Sequence, residues 1–264
     1  MASRADLLRA LLAAPGISVM PCCFDGLSAR LIEAAGFPLT FMSGFAVSAA
    51  RLAAPDTGLI SYGEMVDQGR NICAATGLPV IGDGDTGYGN PVNVKRTVRG
   101  YAQAGFAGIM IEDQVWPKRC GHTRGKHVVD RPEAVARIRA AVDARDAGAD
   151  ILIMARTDAR AILGFREALA RCHAFQEAGA DILFLEAPRT EEEMAQICEA
   201  LDRPVMANMV EGGDTPVLPP ARLEQLGFAL AAYPLTLLSS AIAAMQQALA
   251  ALGDAYVNDA FGTA

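Results

Sequence analysis

Short apolar runs rich in β-branched residues, with helical patterns between them, recur along the whole chain, and this alternation limits the available folds more than any other feature. The runs are Ile17–Cys22, Pro38–Ser43, Pro79–Asp83, Gly108–Glu112, Ile151–Ala155, Ile182–Glu186, Pro204–Asn208 and Phe228–Tyr233. They lack the in/out polarity of a half-solvated strand, as expected of strands covered on both faces in a parallel sheet. Helical periodicity fills the intervals, for example Val92–Gln103, Pro132–Asp146, Phe165–Glu177 and Thr190–Leu201. Gly36, Gly105, Gly148 and Gly179 mark helix-to-strand returns, and residues 147–152 and 178–183 echo one another. Eight strands without a visible linker predict an α/β chain that is one domain over residues 1–264, a closed (β/α)8 TIM barrel in preference to an open doubly wound sheet. A helix over residues 3–12 precedes the first strand and is expected to cap the N-terminal mouth.

Active sites of such barrels form at the C-terminal ends of the strands. The runs here end in Ser43, then Asp83 with Asp85, Glu112 with Asp113, Arg156 with Asp158, Glu186, and Asn208 with Glu211. Nearly every strand thus delivers a polar group to one mouth. Carboxylates gathered without His or Cys at the strand ends suit a hard cation, Mg²⁺ or Mn²⁺. No phosphate-cradling loop is evident beyond Gly212-Gly213.

Residues 112–127 place Cys120 among Lys118, Arg119, His122, Arg124 and Lys126, in a stretch with neither helical nor strand period. Cationic neighbours lower a thiol's pKa and fit it for proton transfer. This basic cluster is a local exception in a chain of formal charge −7. That charge argues against nucleic acid or an anionic membrane as partner and leaves a small anionic substrate. The other five cysteines (Cys22, Cys23, Cys73, Cys172, Cys198) have no zinc-ligand spacing and are expected to be small core residues. Arg4, Asp6 and Arg9 interrupt any secretory leader, and a cytoplasmic protein is expected.

Taken together, Lys118-Arg119-Cys120-Gly121-His122, the glycine-aspartate run from Gly82 to Gly87, Ser43-Gly44, Arg156-Thr157-Asp158, Glu186-Ala187-Pro188 and Asn208 through Glu211 carry a resemblance. The chain resembles the isocitrate lyase/phosphoenolpyruvate mutase superfamily over essentially its full length. The Cys-Gly-His sequence is similar to the lyase branch, first to lyases of 2,3-dimethylmalate and next to those of methylisocitrate. The resemblance implies a divalent metal at Asp83 and Asp85, with Glu112 reaching it through water. It implies that the backbone amides of Ser43, Gly44 and Phe45, with the Arg156 guanidinium, hold the substrate's oxoacid end, and that Asp56 and Gly121 also belong to the substrate site. Loss of the C2 hydroxyl proton would be followed by retro-aldol cleavage of C2–C3. Cys120, on a mobile loop of about residues 114–127, would protonate the carbanion. Lys118, His122 and Glu112 complete the catalytic set, while His122, Glu186 and Asn208 hold the leaving carboxylate.

Departures from the family's pattern bear on the substrate. Phe41 and Phe45 make the pocket more apolar than that of methylisocitrate lyases, which also carry an arginine where this chain has Ser239 and another in a C-terminal extension that this chain is expected to lack. A dicarboxylate bearing alkyl groups, such as 2,3-dimethylmalate giving pyruvate and propionate, is expected over a tricarboxylate. Pro234 stands where oxaloacetate-hydrolysing members have a serine, which counts against hydrolysis or decarboxylation of oxaloacetate. A non-catalytic binding protein on the same barrel is the remaining alternative. Leu235–Leu252 is apolar almost all round, and the family exchanges C-terminal helices between subunits, so a homodimer or homotetramer is expected.

Overall fold

The computed structural model describes residues 2–120 and 125–252. Eight strands form the sheet: β1 (Ser18–Cys23), β2 (Thr40–Met42), β3 (Val80–Asp83), β4 (Gly108–Glu112), β5 (Leu152–Thr157), β6 (Ile182–Leu185), β7 (Met206–Asn208) and β8 (Leu230–Tyr233). All pairings are parallel, in the order β6-β5-β4-β3-β2-β1-β8-β7. A bridge between Leu183 and Val205, with the Leu183 amide donating to the Pro204 carbonyl at 2.9 Å, joins the ends. The expected (β/α)8 barrel is therefore the fold.

Each expected strand is present, with shifted edges. Runs predicted to open on Pro38, Pro79 and Pro204 begin a residue or two later, because proline has no N–H to give a ladder. Strand β5 continues past Ala155, since Arg156 and Thr157 still pair with Phe184 and Leu185.

Side chains alternate along a strand, and one set points into the barrel. Met20, Leu39, Phe41, Ile81, Met110, Leu152, Met154, Ile182, Phe184, Met206, Leu230 and Ala232 form a single apolar cluster. Ala5 and Leu8 of the first helix, Arg4–Ala13, join it from the strand starts and cap that mouth. Ser3 starts this helix by accepting from the Asp6 amide while Asp6 accepts from the Ser3 amide. The outward set (Ile109, Ile111, Ile153, Ala155) packs against the helical layer.

The last helix, Thr236–Leu252, carries no charged residue, and among its described side chains only Leu238 is buried. No helix among the described residues is long and apolar enough to cross a membrane.

Candidate active site

Two residues further along five strands from the apolar interior layer lie Asp83, Glu112, Arg156, Glu186 and Asn208. Strand alternation keeps these on the inward face, and all five line one cavity of about 70 Å³ at the C-terminal mouth. Asp113 is one residue out of phase. It faces the helices, where it accepts from Thr157 Oγ1 (2.6 Å), the Asp158 amide (2.9 Å) and Arg171 Nη1 (2.9 Å). The sequence pattern groups it with the mouth; the pleat sends it away. Glu211 is exposed and lines no part of the cavity.

Arg156 is the hub. Its Nε and Nη2 make a fork to Asp158 at 2.9 and 3.0 Å, Nη2 reaches Glu186 Oε2 at 3.2 Å, and Nε lies 3.4 Å from Glu112 Oε2. Burial opposes its charge, but Asp158, Glu186 and Glu112 outweigh that and hold it well above its ordinary pKa. Burial pushes the Glu112 carboxyl well above the usual carboxylate range, against the pull of Arg156. Asn208 Nδ2 donates to Glu186 at 3.2–3.3 Å. Ala187, next in the chain, sits at φ +58° although it precedes Pro188. That is backbone strain beside a functional side chain, and the Ala187 amide donates to Glu186 Oε1 at 3.0 Å.

On the other wall, Ser43 caps the helix Gly44–Leu52 and accepts from the Ala46 amide. The Ser43 amide itself donates to the Cys23 carbonyl (3.1 Å) and the Gly44 amide to Asp83 Oδ2 (3.2 Å). A Cβ at Gly44 would collide with the Asp83 carboxylate, so glycine is required for this approach. Asp83 also receives the Asp85 amide, which folds the tight turn closed by Gly87 N donating to Gly84 O. Burial and the neighbouring Asp85 raise the Asp83 pKa.

The described parts of the basic segment lie against the barrel. Lys118, 3% exposed, places Nζ 2.7 Å from both Asp56 Oδ2 and Asp85 Oδ1. Burial disfavours this ammonium, yet Asp85, Asp56, Asp83 and Glu112 together hold it well above the usual lysine value. Lys126 Nζ bonds Asp158 Oδ1 at 2.9 Å. Half-buried Cys120 lines the cavity. Gln114 clamps the backbone beside it, accepting from the Arg119 amide and donating to the Arg119 carbonyl. Gly121, His122 and Arg124 lie outside the described residues.

The phosphoenolpyruvate phosphomutase family model matches residues 8–252. The chain belongs to the PEP mutase/isocitrate lyase superfamily. It is 49% identical to 2,3-dimethylmalate lyase of Eubacterium barkeri over 227 residues, 86% of this chain and 78% of that one. A crystal structure of 2,3-dimethylmalate lyase superposes with TM-score 0.93 at 39% identity, covering 100% of this chain and 89% of that one. Oxaloacetate acetylhydrolase with 3,3-difluorooxalacetate also reaches TM-score 0.93, at 38% identity, covering 99% and 91%. The protein is thus an enzyme, a lyase of this superfamily.

The residues of this superfamily member fit a hard divalent ion that keeps most of its water. Asp85 Oδ2 and Glu112 Oε1 are buried without a hydrogen-bond donor, a condition that calls for water or an ion. Around the cavity, buried Asp56, Asp83, Asp85, Glu112, Asp158 and Glu186 outnumber buried Lys118, Lys126 and Arg156 by six to three. An anion entering such a site needs added positive charge. Among the described residues no three His, Cys, Asp or Glu groups converge as a ready ligand cluster. Mg²⁺ takes one or two carboxylates and completes its shell with water and substrate, so it does not require such a cluster.

The rest of the cavity is apolar: Phe41, Met110, Phe184, Met206, Val210 and Pro234 line it with Cys22. By sequence Cys22 belongs with the core cysteines. It is buried in the inner apolar cluster, as expected, and also borders the cavity beside Phe41, with which it pairs across β1 and β2. The Gln114 clamp and the Lys126–Asp158 pair have no sequence signal, because each joins residues whose meeting depends on the path of an irregular segment.

Proposed function

We propose that this superfamily lyase cleaves a 2-alkylmalate, with 2,3-dimethylmalate giving pyruvate and propionate as the type reaction. The observation that carries this reading is one small cavity lined both by charged and polar groups, Asp83, Glu112, Lys118, Arg156, Glu186 and Asn208, and by apolar ones, Phe41, Phe45, Met206, Val210 and Pro234. A dicarboxylate with alkyl substituents matches both. Mg²⁺ or Mn²⁺ bound by Asp83 and Asp85, with Glu112 beyond a water, would supply Lewis-acid polarisation of the substrate's C1 carboxylate and C2 oxygen.

This chain's residues perform the remaining tasks. Arg156 binds the oxoacid end with the donors its fork to Asp158 leaves over, trading part of its contact with Glu112 and Glu186 for substrate. The Ser43 and Gly44 amides already have partners, so the Phe45 amide is the donor of that helix turn left for the same end. The C2 hydroxyl proton passes to a carboxylate of the cavity, Glu112 in this reading, the C2–C3 bond breaks, and its electron pair passes to the departing fragment as an aci-carboxylate. Cys120 protonates that carbon, and Glu186 and Asn208, with His122, hold its carboxylate. Lys118 keeps Asp85 and Asp56 in place.

The test is pyruvate release from racemic 2,3-dimethylmalate with Mg²⁺, wild type against Cys120→Ser, with methylisocitrate and oxaloacetate in parallel. A loss of about 10²–10⁴-fold in the variant is expected for a positioned acid. Turnover of oxaloacetate alone would overturn the reading in favour of hydrolysis. Likeness to oxaloacetate acetylhydrolase supports that second reading, whereas Pro234 offers no hydroxyl on the β8 side. The charge-free, exposed Thr236–Leu252 helix supports pairing with a second copy as dimer or tetramer, and light scattering showing only monomer would sink that. That no described cysteine is in a disulfide is consistent with the cytoplasm.

A further inference from the structure

Asp158 is fully buried and holds two cations at once. Its Oδ1 accepts from Lys126 Nζ at 2.9 Å and from Arg156 Nη2 at 3.0 Å, while Oδ2 accepts from Arg156 Nε at 2.9 Å. The peptide that carries it is fixed from behind, because Asp113 takes the Asp158 amide and the Thr157 hydroxyl and is itself paired with Arg171. With its backbone pinned, the Asp158 carboxylate presents both oxygens to Arg156, and Lys126 bonds Oδ1, the oxygen that also receives Arg156 Nη2. Lys126 is 7% exposed and reaches Asp158 from the segment that also bears Cys120, 32 residues away in sequence.

We propose that Lys126, acting through Asp158, is a positioning residue that sets the orientation and free charge of Arg156 for binding the substrate's carboxylate. This rests on the reading of Arg156 as the carboxylate-binding group. The physical argument is one of sharing. Three carboxylates crowd Arg156: Asp158, Glu186 and Glu112. If Lys126 did not take part of the charge on Asp158, that carboxylate would hold Arg156 alone and more tightly. An incoming anion would then meet an arginine already neutralised and turned toward its neighbour. Because Lys126 bonds Asp158 and is not among the residues lining the cavity, its loss should fall on binding more than on the chemical step.

The test uses the full chain with Mg²⁺ and compares wild type, Lys126→Met, Lys126→Arg and Lys95→Met. Lys95 makes an ion pair with Asp143 far from the cavity and serves as the control. Two readouts are needed: calorimetric affinity for oxalate, a planar stand-in for the oxoacid end, and the separate kcat and KM for 2,3-dimethylmalate. Lys126→Met is expected to weaken oxalate and raise KM by about 10- to 100-fold with a smaller change in kcat, and Lys126→Arg to recover most of the loss. Lys95→Met should change neither. Wild-type oxalate affinity in Lys126→Met would overturn the proposal, as would an equal loss in Lys126→Arg. Should Lys126→Met not fold, Lys126→Gln takes its place, since it keeps a donor toward Asp158 without the charge. Weakened oxalate binding in that variant supports the proposal, and wild-type binding overturns it. If wild type turns over no malate, the substrate assignment fails while the oxalate titration still decides the role of Lys126.

Discussion

At the N-terminal mouth of the barrel, Ala5 and Leu8 of the first helix join Met20, Leu39, Leu152 and Leu230 in one apolar cluster. At the C-terminal mouth, four residues further along β5 from Leu152, the same strand presents Arg156, surrounded by Glu112, Asp158 and Glu186. One end removes apolar surface from water at about 25 cal/mol per Å². The other buries charges whose desolvation costs several kcal/mol each and is offset only where pairing is good. Stability and chemistry are therefore separated along the length of each strand, and a substitution's effect should depend on which layer it strikes.

The largest expected break in this separation is Asp158→Asn. Removing this charge leaves Arg156 and Lys126 buried with less compensation, and breaking such a pair costs about 3–5 kcal/mol. The sign with pH follows from its titration. Burial disfavours the ionised form, but Arg156 and Lys126 outweigh it and hold Asp158 below its ordinary 3.8. A lowered folded pKa means stability that is full above the unfolded value and lost as pH falls through the folded one. Urea unfolding of wild type and Asp158→Asn should thus differ fully at every pH above the ordinary 3.8 and converge only in stronger acid, as pH falls through the lowered folded value. A gap that stays constant into acid would show that the pair's charge is not what stabilises this mouth.

Leu8→Ala probes the opposite end. Leu8 is fully buried where the first helix meets the barrel floor, and such truncations cost about 2–5 kcal/mol. Urea titration should show that loss while kcat/KM, measured where the variant is still folded, stays at the wild-type value. A matching loss of activity would mean that the two layers are coupled and the separation is wrong.

The layered arrangement is partly legible in the sequence. Eight unalternating runs point to the barrel, and the inward polar residues Asp83, Glu112, Arg156, Glu186 and Asn208 stand out because strand ends are where such barrels place chemistry. Asp113 is misplaced by the sequence because an unalternating run does not reveal the phase of its pleat; only the pairing of Glu112 with Arg156 fixes it. Cys22 is the core residue the sequence suggests, but the same uncertainty of phase hides that it also borders the cavity. Contacts such as Lys126 to Asp158 and Gln114 to Arg119 are not legible, since they depend on the course of an irregular segment with no period.

The smallest expected effect tests whether the C-terminal mouth stores backbone strain as well as charge. Ala187 holds φ +58° immediately before Pro188 and donates its amide to Glu186. A left-handed conformation costs an alanine about 1–2 kcal/mol, and glycine would relieve it at an entropic cost of about 0.5–1 kcal/mol. Ala187→Gly should therefore stabilise the fold by about 0.5–1 kcal/mol in urea titrations. It should also loosen Glu186, raising KM modestly with little change in kcat. If the variant is instead less stable than wild type, Ala187 is not under strain, and the cost of this mouth lies in its buried charges alone.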